Sequence, residues 1–390
     1  MAATYQAPTP EGELLLLCAR RKWDEGSVQD LLPCVTDWDS VLKLAGRHGL
    51  APLVYWRLKD EHAATVPTEA FTRLRASYMH ALRRGILYER ELIRILDLLA
   101  SRGIEAVGYK GPLLAAMTHR QVGLRDFADL DILIRKRDLP RIFEALGETG
   151  YRPQRDLNPS QWKALLRFDY EAPMARASDG SLLDLQWASP PRFLSLPVGP
   201  NVEGARYATV KLGDREFRTL CAEDLLLVLC SHGAKHVWDR LQWLADVAGI
   251  IETSPAMDWD AVLDRAAEWR RRHMVLLGLA LAHDLLEAPL PERVLREIEA
   301  EPAAGRLARV VRERLFDPYA GETGVLRMAR FHAAAMDRWR DAAVYLLRLS
   351  ATPTPGDWGA VTLPEWLMAG YYVVRPIRFF VQYVFGRRSL

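Results

Sequence analysis

The chain has 390 residues, of which 49% are hydrophobic and 26% charged, with a formal net charge of +2. These proportions exclude a disordered or collagen-like polymer, and a net charge of +2 decides nothing about nucleic acid. The length calls for two or three packed subdomains, because single cores rarely grow beyond roughly 250 to 300 residues.

Met1 to Pro8 carries no basic region followed by an apolar run, so no export signal is expected. Residues 11 to 103 read as helical. Asp37 or Asp39 is placed to cap a helix bearing Val41, Leu42, Leu44 and Ala45, and a longer pattern follows from Thr68 to Arg102. At Gly103 the pattern changes to a strand (Glu105 to Tyr109), a Gly-Pro turn, a helix (Leu113 to Thr118) and a second strand (Ala128 to Ile134). A helix from an Asp138 cap to Gly147 or Gly150 comes next, then strands at Tyr170 to Arg176 and Leu182 to Trp187 joined through Ala177 to Gly180.

Beyond Thr219 the chain is helical again: one helix led by Glu223 and Asp224 and running to about Ile251, then helices at 258–287, 291–316 and 323–349. Ala351 to Asp357 reads as a loop before a basic, aromatic tail. The expected division is 1–102 (helical), 103–218 (α/β core), 219–350 (helical) and 351–390 (tail), an α+β protein with a small mixed sheet flanked by helices.

Period-two geometry puts Asp129 and Asp131 on one face of their strand and Leu130, Ile132 and Ile134 on the other. A lone Asp-x-Asp is most simply a strand end facing water, but its context here favours a divalent cation. Upstream, Lys110-Gly111-Pro112 joins a strand to a helix, where free N–H groups and the helix dipole suit a phosphate. Lys110 and Arg125 add charge that a triphosphate would meet. Downstream, Asp184 and Gln186 share a strand face opposite Leu183, Leu185 and Trp187. Mg²⁺, with Mn²⁺ as the alternative, takes one or two carboxylates plus phosphate oxygens, and three acids on neighbouring strands could hold two such ions, which together would stabilise an in-line displacement at phosphorus.

The order Lys110-Gly111, Arg125, Asp129-x-Asp131, then Asp184 ahead of a tryptophan resembles the nucleotidyltransferase superfamily related to DNA polymerase beta. More closely, it is similar to a bacterial branch labelled uncharacterised nucleotidyltransferase. The resemblance extends to His232, Lys235, His236, Arg240, Trp243 and Asp246, which look like that branch's helical motif. Pro112 after Gly111, and Gln186 where the branch is expected to carry histidine, are departures.

The resemblance implies Mg²⁺-dependent transfer of a nucleotidyl group from an NTP such as ATP to an acceptor hydroxyl. Asp129, Asp131 and Asp184 would be the catalytic and metal-binding acids. Lys110, Gly111, Arg125, His232, Lys235, His236 and Arg240 would bind the nucleotide. The spacing of His232 and His236 would suit zinc, but no glutamate follows His232 and zinc is not expected. The acceptor is an unidentified small molecule, peptide or saccharide, as in biosynthetic tailoring, and a nucleotide-binding scaffold without catalysis is the contrasting reading.

No specific nucleic-acid partner is expected. The scattered Cys18, Cys34, Cys221 and Cys230 point to reduced thiols in the cytoplasm. The Arg270–Arg272 run and the Arg387–Arg388 pair read as solvated helix faces. Tyr371 to Phe385, broken by Arg375, Pro376 and Arg378, is too short and too charged to span a bilayer. It is expected to dock on the protein and not on a membrane, because Phe379, Phe380, Tyr383 and Phe385 keep to no single stripe.

Overall fold

The computed structural model describes residues 9–119, 121–189, 196–316 and 324–384. Met1 to Pro8, Thr323, Phe385, Arg387 and Arg388, on which some expectations fell, lie outside the described residues, as does the side chain of Tyr383. Asp37, the first of the two expected caps, accepts a 2.9 Å bond from the Ser40 N–H. It starts α3 within the series α1 (Pro10–Ala19), α2 (Glu25–Leu31), α3 (Trp38–His48), α4 (Ala51–Leu58) and the long α5 (Thr68–Ser101).

The α/β part runs β1 (Ala106–Gly108), α6 (Gly111–Thr118), β2 (Asp129–Ile134), α7 (Leu139–Glu148), β3 (Tyr151–Pro153), α8 (Pro159–Phe168), β4 (Glu171–Arg176) and β5 (Leu182–Gln186). These strands form one mixed sheet in the order β1-β2-β5-β4-β3. Only the β2–β5 pair is parallel; the other pairs are antiparallel. A separate hairpin, β6 (Tyr207–Leu212) and β7 (Arg215–Leu220), follows. The fold is therefore α+β, with a small mixed sheet between helical flanks.

Several elements differ from the sequence reading. The hairpin, β3 and α8 were not foreseen, although Asn158 caps α8 with a full capping box. Asp138 stands at the N-cap of α7 without a side-chain cap bond and pairs instead with Arg141 at 3.6 Å.

The long helix expected to reach Ile251 is two, α9 (Ala222–Lys235) and α10 (Leu241–Thr253). Val237 and Trp238 between them have φ of 55° and 52°, a region side chains other than glycine seldom occupy. The strain is offset by burial, since Trp238 is wholly enclosed against Gly233 and Gly278, where added Cβ atoms would overlap its indole.

The later helices are likewise divided: α11 (Trp259–Glu268), α12 (Arg272–Leu286), α13 (Glu292–Glu299), α14 (Pro302–Leu315), α15 (Val325–Ala334) and α16 (Trp339–Ala351). Arg270, at φ 54°, separates α11 from α12, and Pro302 opens α14. The expected loop at 351–357 contains the start of α17 (Pro355–Ala360), capped by Thr354 with Asp357 in return. The tail becomes α18 (Tyr371–Val384), which continues through Pro376.

Two cores hold the layers together. One joins α1–α4 to α9–α14 and reaches Val107, Tyr109 and Leu133 on one face of the sheet. The other packs α5, α7 and α8 against Leu130, Ile132, Ile134, Leu183 and Leu185 on the opposite face. Trp358, Met368 and Tyr371 of the C-terminal segment belong to this second core. All four cysteines are unpaired thiols, Cys18 and Cys230 being buried. No helix among the described residues is long and apolar enough to cross a membrane.

His48 ties the first core together. Its Nε2–H donates to the Leu315 carbonyl at 2.8 Å, and Nδ1 accepts from the Leu241 N–H at 3.2 Å, which fixes the neutral tautomer. Burial, helped by Arg47, lowers its pKa from 6.5 to about 4. The folded value lies below the unfolded one, so this stabilisation is complete above pH 6.5 and is lost as the pH falls toward 4. At about 1.4 kcal/mol per unit it amounts to about 3 kcal/mol. Thermal unfolding of the parent and His48→Gln should therefore show a stability gap that shrinks between pH 6.5 and 4. A gap independent of pH would mean His48 is not held neutral.

Candidate active site

The parallel β2–β5 ladder builds the site. Its register sets Asp131 opposite Asp184 and Leu133 opposite Gln186, and the β4–β5 register sets Glu171 opposite Gln186. Paired residues share a face, so Asp129, Asp131, Asp184, Gln186 and Glu171 all lie on one side of the sheet. The apolar partners Leu130, Ile132, Leu183 and Leu185 are buried on the other side.

Tyr88 of α5 anchors the entry to both parallel strands. Its hydroxyl donates to the Ala128 carbonyl at 2.8 Å and accepts from the Leu182 N–H at 3.1 Å.

Gln186 is buried at the centre of the acids. Its Nε2 donates to Asp131 Oδ1 at 2.8 Å and to Glu171 Oε2 at 3.3 Å, while Oε1 accepts from the buried Tyr109 hydroxyl at 2.6 Å. Ionised carboxylates only accept, so the amide orientation follows from its neighbours. Gln186 thus places a donor between two acids. Glu171, Tyr109 and Tyr88 are site residues that the sequence reading did not single out. For Glu171 the available signal was its position at the head of a strand in an otherwise apolar context.

The acids destabilise one another's charges. Burial, then Glu171, Asp131 and Asp129, push Asp184 up to about 8. Asp129 is raised by burial and by Asp131, and Glu171 by burial, with Lys235 opposing the shift. Among the described residues, no three His, Cys, Asp or Glu side chains converge into a ready metal cage.

Lys110, largely buried, stands at the N-cap of α6, and its Nζ lies 3.3 Å from His232 Nδ1. Gly111 turns the chain from β1 into that helix at φ 54°, a conformation that side chains other than glycine rarely adopt, with the Asp129 carbonyl 3.4 Å from where a Cβ would lie. Lys235, at the end of α9, has its Nζ 5.7 Å from the Tyr170 ring centroid, and burial followed by Lys110 lowers its pKa. Burial, then the cations around it, holds His232 well below 6.5, and His236 is lowered to about 3 by burial and Lys235. Both rings pack on Trp243, with centroids at 5.3 and 5.0 Å, so the two histidines stay together although His236 lies just past the helix end.

Arg125 and Arg240 are also expected at the nucleotide. Arg125 is buried, with Nε and Nη2 donating to Asp246 of α10 at 2.8 and 2.9 Å. Arg240 is exposed at the N-cap of α10, its guanidinium 5.9 Å from the Trp243 ring centroid.

A pocket of about 260 Å³ opens beside Glu171, between Phe168–Tyr170 and the Thr352–Pro355 turn. A larger cleft of about 1090 Å³ lies at the far end of β2, lined by Arg135, Phe143 and Trp162, and none of the acids reaches it. Size alone would choose the second, but of the two only the first is lined by one of the site's carboxylates, Glu171.

No curated protein and no solved structure matches this chain. A family model described as uncharacterised nucleotidyltransferase matches residues 35–287, which span β1 through β7 with Lys110, Arg125, Asp129, Asp131, Glu171, Asp184, Lys235 and Arg240, and the chain belongs to that family.

Proposed function

We propose that this protein moves a nucleotidyl group from an NTP to an acceptor hydroxyl in a Mg²⁺-dependent reaction. The register that sets Asp131 against Asp184, with Asp129 one pleat away, carries this reading. Asp129 and Asp131 would hold the cation, and Asp184 would be a third ligand or the base for the acceptor hydroxyl. Mg²⁺ takes one or two carboxylates and leaves its other positions to water and phosphate oxygens. A cation held there would supply Lewis acidity to the attacking hydroxyl and positive charge opposite the phosphorus.

Lys110 and Lys235 supply positive charge for the phosphates beside the acids, and His232 stays neutral as their neighbour. Arg125 fits a positioning role through Asp246, setting α10 against the core. The pocket beside Glu171 is the natural seat for an acceptor, and its rings, prolines and carboxylates suit a saccharide or a peptide hydroxyl. The scaffold reading is weakened because Gln186 places a donor among acids that are all retained.

The test incubates the protein with each NTP, Mg²⁺ and candidate acceptors, and follows nucleotide-bearing products by mass spectrometry. Lys110→Ala should weaken NTP binding roughly tenfold or more, since a charge-assisted bond to phosphate is worth about 1.5 to 3 kcal/mol. Unchanged affinity in that variant would place the phosphates elsewhere, and Mg²⁺-independent product formation would remove the metal from the reading.

A further inference from the structure

We propose that the C-terminal helices α15 to α18 seat this protein on an anionic lipid surface. These helices lie beyond the residues matched by the family model. In α18, Tyr371 is buried, and Arg375 and Arg378 turn toward the buried Asp357. The opposite face leaves Val373, Ile377, Phe380 and Val381 in solvent, with Phe380 61% exposed. Those positions are i, i+4, i+7 and i+8, a continuous helical stripe.

The neighbouring α16 repeats the arrangement. Tyr345 points inward while Val344 and Leu347 are exposed. Two tryptophans stand almost free: Trp339, 76% exposed at the start of α16, and Trp366, 82% exposed just ahead of α18. A soluble surface seldom gathers so many large apolar side chains on adjoining helices without something to cover them.

The charges indicate what covers them. Residues 324–384 contain seven arginines and four acids. Every one of those acids is engaged within the fold: Asp337 accepts from the Arg272 and His273 N–H groups, Asp341 pairs with Arg270, Asp357 with Arg378, and Glu365 with Lys163. Arg327, Arg330, Arg338, Arg340 and Arg348 are exposed, and none forms an ion pair among the described residues.

A surface of apolar stripes, tryptophans and uncompensated arginines matches the boundary of an anionic bilayer, where Trp favours the headgroup level and Arg reaches phosphate. A second copy of the chain fits poorly, because a two-fold contact would set these arginines against themselves. The sequence alone led to the opposite expectation, since it weighed the aromatic residues and took Pro376 as an interruption. Val373, Ile377 and Val381 complete the stripe, and Pro376 does not interrupt the helix.

The test is sedimentation of the full chain with vesicles of phosphatidylcholine alone, or of phosphatidylcholine with phosphatidylglycerol, at low and high salt. The protein should pellet with the anionic vesicles only, and less so as salt rises. Arg340→Glu with Arg348→Glu should lower partitioning at least tenfold. Ile377→Asp with Phe380→Asp should do the same at an unchanged melting temperature, both side chains being exposed. The proposal is overturned if the folded protein ignores anionic vesicles at low salt, or if neither pair of substitutions alters its sedimentation. It is equally overturned if, without vesicle binding, the Ile377/Phe380 pair abolishes self-association or binding to soluble polyglutamate, which would give the face to a second copy or to an acidic protein.

Discussion

Asp129→Ala and Asp131→Ala are each expected to abolish nucleotidyl transfer while leaving the fold at least as stable as the parent. The loss follows from the proposed cation site, because a metal contributes several kcal/mol of transition-state charge stabilisation, or roughly three powers of ten in rate. Retention of the fold follows from the electrostatics. Burial and like charge already oppose ionisation of Asp129 and Asp184, so removing one carboxylate relieves repulsion in its neighbours. Asp131→Ala takes one acceptor from Gln186, whose Nε2 still reaches Glu171 and whose Oε1 still accepts from Tyr109. Turnover with saturating Mg²⁺ and thermal unfolding would be measured side by side. Near-parent turnover in either variant would contradict the assignment, and a large drop in melting temperature would mean these acids are structural.

Strand periodicity alone placed the acids on one face, because the alternation of Asp129, Asp131 and Asp184 with Leu130, Ile132, Leu183 and Leu185 is a local signal that burial then enforces. Tertiary partners are not written locally, and that is where the reading ran out. Glu171 becomes a site residue only through the β4–β5 register, and Tyr88 only because α5 crosses the start of both parallel strands. The break after Lys235 was hidden because Val237 and Trp238 are ordinary helix residues. What ends the helix is the space for Trp238 over Gly233 and Gly278, the latter 40 or more positions along the chain. The stripe on α18 needed the helix to be seen continuing past Pro376, which sequence rules treat as an interruption.

Arg125→Ala is expected to destabilise the protein by about 3 to 5 kcal/mol, the range for breaking a buried pair by removing one partner. Sequence reasoning put this arginine on the triphosphate, which would have made it a binding residue with little effect on stability. In the structure its partner is Asp246, only 1% exposed, which would be left as a buried carboxylate without its ion-pair partner. A native domain holds only about 5 to 15 kcal/mol in total, so a loss of this size would be plain in any unfolding experiment. Replacing both residues, Arg125→Leu with Asp246→Leu, removes the orphaned charge and should recover most of the loss, since buried ion pairs are often no more stabilising than apolar residues of similar volume. NTP affinity measured on that double variant, below its melting temperature, separates the two roles. If Arg125→Ala leaves stability unchanged but weakens NTP binding tenfold, the guanidinium serves the phosphate directly and its pairing with Asp246 gives way when nucleotide binds.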